Sequence, residues 1–152
     1  MKKSFFIVAL LLMVFSLTGC VQDVANKVEE GKTKVEYMAT MSKLVVQSAD
    51  ASLSLYTLYQ NPLQYGTAEW KEDFYTNKEA IEKIHSEATT INVPADMQDK
   101  HDTFVSGLEL AMNTNNTVAT GIEKGEELTN TAKEQINESV TIFKSLSSVF
   151  TE

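Results

Sequence analysis

Residues 97–128 read MQDKHDTFVSGLELAMNTNNTVATGIEKGEEL. Met97, His101, Phe104, Leu108, Ala111, Val118 and Ile122 recur at intervals that place them on one face of an α-helix, with Asn115 at the polar seam position. Lys124-Gly125 supplies a cation for a last helical turn and a glycine able to take the left-handed conformation that closes it. Glu126-Glu127 suit the first turn of a further helix, lined by Leu128, Ala132, Ile136, Val140, Phe143, Leu146 and Phe150. Whether Gly121 and Gly125 end a helix or only kink a longer one decides between four helices and three.

Upstream, Asn92-Val93-Pro94 reads as a short turn, with Pro94 suited to the first position of the next helix. The preceding helix is predicted over about residues 67–91, with Trp70, Phe74, Ile81, Ile84, Ala88 and Ile91 as its apolar stripe, interrupted by Asn77. Asn61-Pro62 ends a first helix over about residues 22–60, because proline disfavours the α conformation in the residue before it. Val28, Val35, Met38, Val45, Ala49, Tyr56 and Tyr59 form its predicted stripe, widened by Met41, Leu44, Leu55 and Leu58. No segment alternates in the manner of a strand. The expected fold is all-α: an antiparallel up-down four-helix bundle with an extended first helix, or else a three-helix bundle. At 1.5 Å per residue the later helices reach about 40 Å and the first nearly 60 Å, so its excess reads as a stalk.

A chain of 152 residues with 43% apolar content fits one domain. All 13 basic residues are Lys, set against 21 Asp and Glu for a net charge of −8, which is no electrostatic footprint for nucleic acid. The single Cys excludes a disulfide framework and a cysteine-based zinc module.

That cysteine ends a distinctive leader. Lys2 and Lys3 precede an uninterrupted apolar run from Phe5 to Phe15, too short for a spanning helix, which needs about 20 residues. Leu17-Thr18-Gly19-Cys20 follows and resembles the lipobox of bacterial lipoproteins. With the acidic helical chain behind it, and Val93-Pro94 leading into Met97 and His101, the sequence resembles small helical lipoproteins of unknown function from low-GC Gram-positive bacteria. The resemblance implies a signal peptide over 1–19, a diacylglycerol on Cys20, a lipid-anchored stalk over 20–34 and a bundle domain over 35–152. It also implies residence on the extracytoplasmic face of the cell membrane. Removal of residues 1–19 takes away Lys2 and Lys3 and no acid, moving the net charge from −8 to −10. Such a surface stands off from anionic headgroups.

Catalytic patterns are lacking: no Gly-rich phosphate loop, no His-Glu-x-x-His, no nucleophile elbow and no haem-attachment motif. The expectation is therefore a protein that is not an enzyme and carries no cofactor. Glu82-x-x-His85 has the spacing used by di-iron bundles, but the second histidine offers only Gln98-x-x-His101. Glu82, His85 and His101 are the metal candidates, and no metal is expected. Folding about Val93 would set His85 level with His101.

The aromatics cluster instead. Tyr56, Tyr59, Tyr65, Trp70, Phe74 and Tyr75 fall within twenty residues. Tyr56, Trp70 and Phe74 read as plugging the bundle end, leaving Tyr59, Tyr65 and Tyr75 as exposed candidates for binding an envelope protein or wall component. The alternative is a small-molecule or metal site inside the bundle, with Asn77, Asn115 and His101 converging on it.

Overall fold

The computed structural model describes residues 33–150. Helix α1 covers residues 33–59, α2 Ala68–Ala88, α3 Gln98–Lys124 and α4 Asn130–Phe150, with a 3-10 turn, Ala95–Met97, ahead of α3. No strand occurs among the described residues. The leader, Cys20 and all of the stalk but its last two residues lie outside them. A compact unit begins at Tyr37, and residues 33–36 fall in a separate N-terminal unit. Among the described residues no helix is long and apolar enough to cross a membrane.

Side-chain contacts fix the topology as an antiparallel four-helix bundle. Along α3 and α4 the chain directions oppose: Gly107 lies against Ile142 and Phe143, and Thr114 reaches Gln135. Helix α1 runs with α3, since Tyr37 meets His101 near the start of α3 and Tyr59 meets Asn115 further along it. Helix α2 returns, with Trp70 stacked on Tyr59 at one end and His85 facing Glu109. Phe104 and Phe143, both fully buried, meet edge to face at 5.7 Å inside the core. A Cβ at Gly107 would stand 3.0 Å from Ile142 Cγ2 and from Phe143 Cε1, so the glycine is what lets α3 and α4 approach there.

The α3–α4 boundary is a full break. Gly125 has φ +70°, its N–H bonds Ile122 O and the N–H of Glu126 bonds Gly121 O, which satisfies the last carbonyls of α3. Helix α4 begins later than expected, leaving Glu126-Glu127 in the connection. Thr129 sets its start by accepting a hydrogen bond from Ala132 N through Oγ1.

The α2–α3 connection also differs from the tight turn expected. Helix α2 ends at Ala88 because Thr89 Oγ1 donates to the carbonyls of His85 and Ser86 and Thr90 Oγ1 to that of Glu87, capping the final turn. Pro94 opens the 3-10 turn rather than α3 itself, its carbonyl accepting from Met97 N. The connection therefore occupies residues 89–97, longer than the turn expected at Asn92-Val93-Pro94.

Helix α1 buries Met41, Leu44, Val45, Leu55 and Tyr59 of its predicted stripe, while Met38, Ala49, Tyr56 and Leu58 are half-buried against the core. Tyr37, Met41, Leu44, Ser48, Ala51 and Leu55 form the inward seam, with Val45, Ser52 and Tyr59 beside it, whereas Val35 is 69% exposed. Two buried serines disguise the seam in the sequence. Ser48 fits because its hydroxyl donates back to Leu44 O at 2.7 Å.

Candidate functional site

The α1–α2 end gathers the aromatic cluster. Thr67 Oγ1 accepts from Trp70 N and starts α2 so that Trp70 and Phe74, one turn apart, both point inward. Their rings stack at 5.3 Å, Tyr59 stacks on Trp70 at 6.1 Å, and Trp70 Nε1 donates to Leu58 O at 3.0 Å. This ties the start of α2 to the end of α1. Gly66, with φ +78°, turns the chain just before the cap.

Tyr59 is not exposed, correcting its assignment as a surface binding residue. It is fully buried and its hydroxyl donates to Asn115 Oδ1 at 2.9 Å. Burial, and next Tyr65, raises its phenol far above the ordinary range. Tyr56, expected to plug the end, is only half-buried. Tyr56 still packs against the core, but Tyr59 lies deeper because the centre of the buried seam of α1 is rotated toward it.

Tyr65 is half-buried, edge-on to Trp70 at 4.8 Å, with its phenol pushed up by burial and then by Glu126 and Tyr75. Tyr75 packs edge-on against Phe74 at 5.1 Å and remains 37% exposed. Leu63, at 93% exposure, is a feature the sequence reading missed. Attention to aromatics concealed it. Its position next to Pro62, in a loop with no apolar periodicity to bury it, is the signal that would have found it.

The polar residues proposed to converge on an internal site stand apart. Asn77 donates to Asp73 O within α2. His101 and Asn115 engage opposite parts of α1, and thirteen intervening residues of α3 separate them by about 20 Å of helix rise. His101 Nδ1 lies 3.3 Å from Tyr37 OH. Burial lowers the imidazole below its ordinary value against an opposing effect of Asp102, while burial and then Asp102 push Tyr37 up to about 12.

The metal candidates are likewise dispersed. Glu82 accepts an ion pair from Lys78 at 2.5 Å, His85 Nε2 lies 4.0 Å from Glu109, and His101 faces Tyr37. Among the described residues no three His, Cys, Asp or Glu side chains group as ligands. Outside the core, an open groove of about 390 Å³ between α1 and α2 is flanked by Lys43, Asp50, Lys83 and Glu87 over Ala80 and Ile84.

The fold and this site thus define an all-α bundle with an aromatic-plugged end and an apolar loop at that end. Comparison with protein families, curated proteins and solved structures finds no match for the chain.

Proposed function

We propose that the protein is a lipoprotein anchored through Cys20 to the extracytoplasmic face of the cell membrane, and that its bundle acts there as a non-catalytic interaction module for an envelope protein or wall component. The anchor reading rests on Leu17-Thr18-Gly19-Cys20, which resembles a lipobox, standing directly behind the Phe5–Phe15 run. Two acyl chains at one cysteine hold a protein at a bilayer where one chain would exchange.

The observation that carries the binding reading is Leu63, 93% exposed in the α1–α2 loop beside the aromatic cluster. A large aliphatic side chain held out in water, next to rings that fix the surface around it, is suited to inserting into a partner's pocket. Tyr65 and Tyr75, edge-on to Trp70 and Phe74, belong to that cluster. Tyr59 supports that surface from beneath and does not contact the partner.

A photocrosslinking residue at the exposed Gln64, next to Leu63, tests the reading in intact cells. It should capture one defined envelope component, and Leu63→Ser with Tyr75→Ser should abolish capture while membrane association persists. Cys20→Ala should leave the precursor uncleaved at the lipobox. Recovery of the wild-type protein without lipid, with its N-terminus elsewhere, would overturn the anchor. Capture that survives the double substitution would overturn the binding surface.

A further inference from the structure

Helix α1 carries a second heptad seam that the bundle covers only in part, with Ala49 and Tyr56 packed at the edge of the core. Ala39, Ser42, Val46, Ala49, Leu53 and Tyr56 follow one another at alternating three- and four-residue intervals without a charge among them. Val46 is 43% and Leu53 42% exposed, Ala39 is exposed, and the other three are half-buried. Neither α3 nor α4 exposes any large apolar side chain, so this face is particular to α1. Lys43 and Asp50 run beside the seam, seven residues apart on one stripe that also borders the α1–α2 groove opposite Lys83 and Glu87. They are too distant to pair with each other, at about 10 Å of helix rise, and neither has an ion-pair partner in the chain among the described residues.

We propose that α1 is the contact face of a homodimer, in which two copies of the chain pair their outer seams antiparallel about a two-fold axis lying between residues 47 and 48. An isologous contact requires that a residue i facing j on the other copy be matched by j facing i. Pairing about that axis sets Ala39 against Tyr56, Ser42 against Leu53 and Val46 against Ala49, each twice. Every layer then joins a small residue to a larger one, which gives the layers similar volume. Parallel in-register pairing would instead set Ser42 on Ser42 and Leu53 on Leu53, alternating gaps with crowding. The same antiparallel register brings Lys43 of each copy beside Asp50 of the other, between the Ser42–Leu53 and Val46–Ala49 layers. Flanking charges of this kind set orientation in paired helices.

The occupant is therefore a second copy of this chain: the seam complements itself in size, and its flanking charges complement themselves in sign. The inference goes beyond the lipoprotein reading and does not depend on it. In such a dimer the two α1–α2 loops, each with its Leu63, point to opposite ends.

Charge exchange between two full-length chains bearing different C-terminal tags, co-expressed and solubilised in mild detergent, tests the pairing. Wild-type chains should capture each other. Lys43→Asp with itself and Asp50→Lys with itself should each lose capture by about ten-fold or more, because like charges then face each other twice. Lys43→Asp with Asp50→Lys should regain it, since both cross-pairs are again of opposite sign. Both positions are exposed, so the bundle should remain folded, as its helical spectrum will report. Absence of wild-type capture, capture retained by either self-pair, or failure of the mixed pair to recover would overturn the proposal.

Discussion

Tyr59 OH donates to Asn115 Oδ1 inside the bundle, and Asn115 Nδ2 has no protein partner. Tyr59→Phe removes the donor and leaves the amide buried with both ends unsatisfied, so it should cost about 1 to 3 kcal/mol in denaturant unfolding. Adding Asn115→Leu removes the stranded amide and should restore much of that loss. A double variant no more stable than Tyr59→Phe alone would show that ring packing, rather than the hydrogen bond, was disturbed. His101 shows the same principle with a proton. Its folded-state pKa lies below the ordinary 6.5 because burial disfavours the cation. The neutral imidazole therefore contributes stability that is present above pH 6.5 and lost as pH falls from there through the lowered folded value. Unfolding curves taken across that range should fall less steeply for His101→Gln than for the wild type. Equal slopes would remove His101 as the titrating group.

At the scale of single helices, stops and starts were legible where they depend on local chemistry. Asn61-Pro62 and Lys124-Gly125 do end helices, and Thr-capped α2 begins where its stripe does. The end of α2 was not legible, because Thr89 and Thr90 can either continue a helix or turn back on its carbonyls, and only the observed bonds show the second. The face of α1 was legible only in part, for a different reason. That helix carries two apolar seams, and periodicity alone does not say which one the bundle takes. Gly107 was silent as well, since nothing in a sequence announces that Phe143 and Ile142 lie 3.0 Å from a missing Cβ. Gly107→Ala should accordingly destabilise the bundle by about 1 to 3 kcal/mol through overpacking, although alanine is the better helix former in isolation. Thermal unfolding decides between the two effects, and a variant more stable than wild type would mean that α3 and α4 separate at little cost.

Across the whole molecule, the binary pattern sufficed for an all-α bundle because each helix supplies one face that only other helices cover. It did not suffice for the binding surface, which depends on what the core leaves out: Tyr59 was drawn inside and Leu63 was left outside. From Tyr37 onward the buried side chains form one continuous cluster, from Tyr37 and Phe150 through Phe104 and Phe143 to Tyr59, Trp70 and Phe74. One contiguous cluster gives no place for one half to melt alone, so the bundle should unfold in a single transition. The single Trp makes this measurable, because Trp70 lies in the aromatic end and reports on that end only. Fluorescence of Trp70 and far-ultraviolet circular dichroism should give the same midpoint in urea. Phe143→Ala, which opens a cavity against Phe104 away from the aromatic end, should lower both midpoints together and cost about 3 to 5 kcal/mol. If the fluorescence midpoint stays in place while the dichroism midpoint falls, the aromatic end is a separate folding unit, and its rings are held by the α1–α2 hairpin rather than by the bundle.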